Sequence, residues 1–302
     1  MNPAIAQTLP ILSLVVAGFL LKQSGLFREG DGGVLARVII NTTLPAVIFL
    51  SVSRAAVPPA RLLVLALCGM AIPLLMRWVS GSLSLRMRWP RRIAGVVILG
   101  TMATNIGFFL LPLFSTIYGS DGTSRVAAFD IGNSLIANSV GLYVATCYGD
   151  LHMGGVAQSV RRVVSSPILF AGLSGLAFNL SGLQLPSAVV KVLETVGAAN
   201  TPLAMLTLGS FLQVRYGNWS PILATVALRM GLGFVAGQAL LAIFQLRGIE
   251  RATVALGAAM PVGLVTLVYS VSEGMDAEIA AGVISLSIVV AILITPLLLT
   301  LF

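Results

Sequence analysis

The chain has 302 residues, of which 57% are hydrophobic and only 9% charged, with a formal net charge of +8 and a mean hydropathy of +1.00. A soluble domain carries about 25% charge, so this composition cannot cover a water-facing surface. The basic balance is no sign of a nucleic-acid partner, because the arginines sit in short loops between apolar runs.

In chain order, the apolar segments fall at 3–22, 33–53, 61–79, 93–118, 124–148, 166–181, 186–212, 219–245, 250–272 and 277–301. Runs of about 18 residues or more cross the hydrocarbon core of a bilayer as helix. Backbone in lipid must satisfy its hydrogen bonds internally, which leaves helices or a closed barrel. The alternating pattern of barrel strands is missing, so an all-α polytopic membrane protein with ten transmembrane helices is predicted. The first 22 residues lack a basic n-region and a cleavage site, and are read as a first span rather than a signal peptide. The longest predicted loops are 80–92 and 149–165, and no soluble domain is inserted.

Lys22, Arg28, Arg77, Arg86, Arg88, Arg91, Arg92, Arg161, Arg162 and Arg215 fall on one side of the predicted spans. Arg54, Arg61, Arg125, Lys191, Arg247 and Arg251 fall on the other. The positive-inside rule puts the first set in the cytoplasm. A ten-span protein of the inner cell membrane with both termini outside the cytoplasm is therefore expected.

The chain also repeats itself. Pro10, Gly18 and Ser24-Gly25-Leu26 recur as Pro167, Gly175 and Ser181-Gly182-Leu183, and Pro45 recurs as Pro202, all 157 residues on. Gly119 and Asp121 recur as Gly274 and Asp276 at a spacing of 155. Each repeat, 1–148 and 158–302, then holds five spans. An odd number makes the second repeat enter the membrane upside down, as in inverted-repeat transporters.

Interrupted spans mark a candidate site. In the fourth span, Thr101-Met102-Ala103-Thr104-Asn105-Ile106-Gly107 breaks an apolar run ahead of Pro112; in the ninth, Pro261-Val262-Gly263 falls mid-span. The 155 spacing aligns Ile106 with Pro261. Proline removes a helix hydrogen bond and glycine permits unwinding. Broken half-helices present positive N-terminal ends that suit an anion. The competing reading is a pair of ordinary kinks. Asn41 to Pro45 and Asn200 to Pro202 interrupt the second and seventh spans, as structural kinks or as secondary substrate contacts. Asp130, near Asn133 and Asn138, is a costly intramembrane carboxylate and a functional candidate. It handles protons, contacts substrate or accepts from helix-end amides. Arg229, midway along the eighth span, balances an anionic substrate or Asp130, or forms a structural pair. Lys191 and Glu194 are read as interfacial. Cys68 and Cys147 lie in different spans without CxxC spacing and His152 is alone in a loop, so no disulfide or metal framework is expected. No P-loop, HExxH or GxSxG occurs, so neither an enzyme, nor a cofactor, nor ATP-driven pumping is expected.

The stretch Asn105-Ile106-Gly107-Phe108-Phe109-Leu110-Leu111-Pro112, followed by Tyr118-Gly119, resembles the fourth-helix signature of the auxin efflux carrier family, as does Asn41-Thr42-Thr43-Leu44-Pro45 the second-helix motif of its bacterial members. The likeness covers the whole chain, without the long cytoplasmic loop of the plant PIN-type carriers. It implies a scaffold from helices 1, 2, 6 and 7, a transport domain from the other six, and substrate beside crossed helices 4 and 9. It leaves room for a homodimer through the scaffold helices. Many plant relatives have proline just before the crossover asparagine, where this chain has Thr104. The expected substrate is a small organic anion, auxin-like or a carboxylate, with Asn105, Ile106, Gly107, Pro261, Val262, Asp130, Asn133, Asn41 and Asn200 as candidate contacts. The alternatives are a cation/proton antiporter or a sodium-coupled symporter of the same helix-crossing build.

Overall fold

The computed structural model describes residues 3–28, 30–151, 161, 165–213 and 218–301, with only the backbone described for 3–7. His152, Arg162 and Arg215 lie outside the described residues. Everything regular in the described chain is helical, apart from one isolated β-bridge.

In chain order the helices are α1 (Pro3–Gln23), α2 (Asp31–Ser53), α3 (Pro59–Met87), α4 (Arg91–Met102) and α5 (Leu111–Tyr148). Then come α6 (Pro167–Ser181), α7 (Ser187–Ala198), α8 (Asn200–Phe211) and α9 (Trp219–Phe244). The last are α10 (Gly248–Ala259), α11 (Val265–Glu273) and α12 (Ala277–Leu299). They overlie the ten apolar segments of the sequence. The fourth, seventh and ninth segments each hold two helical pieces, and Gly119, at φ 59° and ψ −147°, separates the fourth from the fifth. Among the described residues α2, α3, α9 and α12 are long and apolar enough to cross a membrane unaided.

Local chemistry explains the ends. Proline precedes or opens α3, α4, α6 and α7, where its missing N–H costs nothing. The Asp276 carboxylate accepts from the Ile279 N–H at 3.0 Å and caps α12. The predicted loop 80–92 needs correction: α3 continues to Met87. Its serines look like loop residues, but Ser80 and Ser82 donate to the carbonyls of Met76 and Trp78 and so remain compatible with helix. Arg88, at φ 53°, and Pro90 stop the helix instead.

Two helix pairs form one body: α1 lies along α8, and α2 along α6. Their contacts recur at the sequence spacing of 157. A Cβ on Gly18 would collide with the Leu206 carbonyl, and one on Gly175 would come within 2.9 Å of the Phe49 carbonyl. The steps 18 to 175 and 49 to 206 are both 157. Likewise Lys22 Nζ donates to Leu212 O at 2.8 Å, and Asn179 Nδ2 to Ala55 O at 3.0 Å; 22 to 179 and 55 to 212 are again 157 apart. Elsewhere α3 packs along α5 and α9 along α10, with Gly69 and Gly132 letting the α3 and α5 backbones touch. Small residues at helix contacts serve this purpose where lipid removes the hydrophobic drive between helices.

Ion pairs respect the two predicted sides. Arg54–Glu194, at 3.2 Å, ties the residue after α2 to α7, and Arg61–Glu250, at 3.4 Å, ties the first turns of α3 and α10, all of them assigned to one side. On the other, Arg92 pairs with Asp150 at 3.5 Å and donates to Gly274 O at 2.8 Å, while Arg91 donates to Cys147 O. Large apolar side chains such as Trp78, Phe170, Ile243 and Leu293 are left at least two-thirds exposed, as lipid contact requires.

The glycine contacts yield the first prediction. Gly18→Val and Gly175→Val should each lower thermal stability in detergent by about 1–3 kcal/mol or more, the cost of overpacking a close contact. Gly33→Ala, where a Cβ meets nothing within 4 Å, should be neutral. Equal melting points for all three would remove the close-packing role of these glycines.

Candidate functional site

The fourth and ninth segments break at the same place in space. α4 stops at Met102, and Ala103 is extended at φ −79° and ψ 121°. α10 stops at Ala259, and Met260 is extended at φ −66° and ψ 154° ahead of Pro261. The two extended stretches run antiparallel, with Thr104 opposite Val262. Asn105 N–H donates to Pro261 O at 2.9 Å, and Gly263 N–H donates to Ala103 O at 2.9 Å. Val262 N–H, which the bridge leaves over, donates to Ser287 Oγ of α12 at 3.0 Å. Backbone freed from two helices is thus satisfied by the partner break and one hydroxyl, which buried backbone demands.

This pairing corrects the alignment of Ile106 with Pro261. Thr104 faces Val262, a step of 158, whereas Gly119 and Gly274 remain 155 apart. The first stretch is three residues longer on the way to its glycine, and it contains the π-helical turn Ile106–Leu110. Proline at 112 lacks an N–H and crowds the carbonyl four residues back, and the widened turn relieves that crowding.

Seven of the nine candidate site residues gather here. Asn105, Ile106, Pro261 and Val262 belong to the bridge or adjoin it. Gly107 adjoins α5: a Cβ there would lie 3.8 Å from Asp130 Oδ2. Asp130 and Asn133 are each 3% exposed. Asn133 Nδ2 lies 3.4 Å from both Thr104 O and Asp130 Oδ1, and Ser134 Oγ donates to Asp130 Oδ1 at 3.3 Å. Two amide atoms in this cluster, Asn105 Nδ2 and Asn133 Oδ1, are buried without a partner. Such atoms are costly in an apolar interior, and they leave one donor and one acceptor of the cluster open to a polar ligand.

The other two candidates lie elsewhere. Asn41 is exposed, and its amide donates to Arg37 O at 2.8 Å within its own helix. Asn200 is buried and accepts from Thr43 Oγ1 at 3.0 Å, 157 residues away. Thr43, rather than Asn41, is therefore its repeat counterpart, which the spacing alone could have shown. Asn138 is taken by the Tyr269 hydroxyl at 2.8 Å. Sequence reading also missed Ser287, an ordinary serine in an apolar span. Arg229 lies at 0% exposure, bonded to carbonyls and not to a carboxylate. Lys191 and Glu194 are exposed, and Cys68 and Cys147 are free thiols. A cavity of about 10 Å³ beside Ser134, Asn138 and Ser166 has room for one water. A larger one, about 530 Å³, lies at the loop end of α9 between Arg61, Gln245 and Arg247.

The cluster offers amides, one carboxylate and helix ends, the means for holding a polar molecule. The chain matches the profile of the membrane transport protein family over residues 3–154 and 155–299. The chain belongs to that family, the auxin efflux carrier-like transporters. This membrane transport protein is similar to an uncharacterized transporter of Methanothermobacter thermautotrophicus, 30% identical over 96% of this chain and 95% of the relative. It is similar also to an uncharacterized transporter of Methanocaldococcus jannaschii, 24% identical over 95% of each. The uncharacterized transporter YfdV of Escherichia coli is 21% identical over 68% of this chain and 67% of its own. The protein is accordingly a multi-pass membrane transporter and not an enzyme.

Ser287 provides a test of the crossing of this transporter. Ser287→Ala leaves Val262 N–H buried and unpaired, and should destabilise the protein by about 1–3 kcal/mol. Ser287→Thr keeps the hydroxyl and should recover most of it. The measurement is thermal unfolding in detergent. An alanine variant as stable as the parent would mean that the Val262 bond contributes nothing.

Proposed function

We propose that this protein is a secondary transporter of a small organic anion, acting by elevator-type alternating access at the crossing of α4 with α10. The observation that carries the reading is the antiparallel pairing of the two helix breaks, with unpartnered amide atoms of Asn105 and Asn133 beside it. Unwound backbone with converging helix ends is the way transporters build a site at mid-membrane. Ten crossings in two inverted repeats are part of the same reading. The contacts that recur at a spacing of 157, and the mutual pair of bonds at the breaks, support it. The α1–α8 and α2–α6 pairs, with α7, would form a scaffold, and α3, α4, α5, α9, α10, α11 and α12 the moving domain. The scaffold is also the surface through which a homodimer would form.

The substrate would bind at Asn105, Ile106, Gly107, Asn133, Pro261 and Val262, with Asp130 in its protonated form when an anion is present. Two negative groups so close would otherwise repel. Efflux coupled to protons through Asp130 is therefore favoured over sodium coupling. The inner membrane is the site of action, with the cluster of Arg86, Arg88, Arg91 and Arg92 facing the cytoplasm and both termini opposite. The ion pairs within each side support the grouping of the loops, and the excess of Lys and Arg on one side supports its assignment to the cytoplasm.

The decisive experiment is flux of a panel of carboxylates in proteoliposomes. Asn105→Ala should weaken affinity roughly ten- to a hundred-fold, the loss of one good polar contact to a charged group, with monodispersity unchanged. Pro261→Ala should slow turnover more than it weakens binding. Asn41→Ala should do little. Replacing sodium by choline should leave flux intact, and Asp130→Asn should flatten its pH profile. An Asn105→Ala variant that binds like the parent would sink the crossover site. Orientation is checked by cysteine labelling in a background lacking Cys68 and Cys147. A cysteine at Leu85 should resist an impermeant reagent applied outside intact cells, and its labelling there would reverse the topology.

A further inference from the structure

Arg229 is the largest side chain buried at 0% exposure among the described residues, and the transport reading does not use it. Its Nη1 donates to Thr101 O at 3.0 Å, and its Nη2 donates to Ala258 O. Thr101 lies in the last turn of α4 and Ala258 in the last turn of α10. One guanidinium thus bonds the C-terminal ends of both broken helices, one residue inside each end. The local build serves this reach. Arg229 sits in a π-helical turn, Ala227–Leu232. The other two such turns, Ile39–Thr43 and Ile106–Leu110, each end two residues before a proline, Pro45 or Pro112. The turn around Arg229 has no proline after it in that place, and its widening coincides with the arginine. Four residues on, Gly233 lets α9 press against α10: a Cβ there would collide with Ala258 O and stand 3.2 Å from Arg229 Nη2.

The charges balance. No carboxylate lies within ion-pair distance of Arg229 among the described residues. An unpaired buried cation is strongly disfavoured. The C-terminal end of a helix carries about half a negative charge, so two such ends supply about one. The guanidinium and the two ends neutralise one another.

We propose that Arg229 is a tethered cation that ties the C-terminal ends of the two broken helices together. It fills a place that would otherwise hold a free monovalent cation. It is a positioning residue: it holds the crossing shut on the C-terminal side and cancels the negative ends. The positive N-terminal ends then dominate the field at the crossing. The inference deepens the transport reading for the field felt by an anion. The existence of the cation site stands on geometry alone, and its test has a readout that needs no substrate.

The purified full-length protein is prepared as Arg229→Ala, Arg229→Lys and Arg229→Met, and its unfolding temperature in detergent is followed against added salt. The Arg229→Ala variant should be stabilised saturably by guanidinium chloride at about millimolar concentration, while sodium and tetramethylammonium chlorides do less and the parent protein does not respond. In proteoliposomes, Arg229→Ala should slow carboxylate flux roughly tenfold or more, a helix-end contact in a buried setting being worth up to a factor of ~30. Guanidinium should restore most of that flux, as should lysine but not methionine. A merely space-filling role predicts that methionine does as well as lysine and that guanidinium has no effect, and either result overturns the proposal. If Arg229→Ala does not purify, lysine against methionine decides by unfolding temperature: equal stability overturns it, and a lysine variant clearly above the methionine one supports it. If the parent carries none of the carboxylates tested, the transport reading fails while the guanidinium titration still judges this site.

Discussion

Everything near the centre of this protein depends on one constraint: backbone that leaves a helix in an apolar interior must find another partner. Two helices break, at Ala103–Asn105 and at Pro261–Gly263, and each break supplies the bond the other lacks. The exchange is mutual. Asn105 gives its N–H to the Pro261 carbonyl, and Gly263 gives its N–H to the Ala103 carbonyl. Neither break could persist alone, because its free groups would be unsatisfied at a cost of several kcal/mol each in hydrocarbon. Other features follow from it, including the Ser287 hydroxyl under Val262 and the small Gly263 against Thr104 O.

Away from the crossing, tight glycine contacts hold the helices. The α1–α8 and α2–α6 pairs come together by backbone-to-backbone proximity at Gly18, Gly175 and Gly209. Bonds from Lys22 and Asn179 to carbonyls of the partner segment close the ends of the same pairs. That a lysine does this in one half and an asparagine in the other shows what is held in common: a donor aimed at a helix-end carbonyl, whatever carries it.

The ten apolar segments and both breaks were legible in the sequence because hydropathy, glycine and proline act locally. The repeat was legible wherever glycine or proline is required on both halves. Its register at the crossing was not. The sequence anchors at Gly119 and Gly274 give 155, while the backbone pairs at 158, because the first stretch is three residues longer between the break and its glycine, and the π-turn Ile106–Leu110 ahead of Pro112 takes up part of that length. The place of Asn200 was legible, since the spacing of 157 leads to Thr43, and the two side chains bond each other. Ser287 and Tyr269 were illegible altogether, since a serine or tyrosine in an apolar span gains its role from whatever lies across from it. The 80–87 segment misled in the opposite direction: its polar residues read as loop, but serine hydroxyls return to the helix backbone and keep it wound.

Arg229 and Asp130 divide the crossing between them. The arginine takes the carbonyl ends of α4 and α10, and the aspartate lies on α5 across from Gly107 and the restart of the helix. A break in a helix creates two ends of opposite partial charge, and a pair of crossed breaks doubles both. The negative pair is cancelled by a cation that cannot leave. Of the positive ends, the restart at Gly107 lies beside the Asp130 carboxyl, whose oxygen would stand 3.8 Å from a Cβ there. Under the transport proposed above, an anion at the crossing would meet a guanidinium that stays charged and a carboxyl that must not compete with it for the same helix end. The asymmetry between a permanent guanidinium and a titratable carboxyl, rather than any difference between the two repeats, is therefore what would give the crossing a direction.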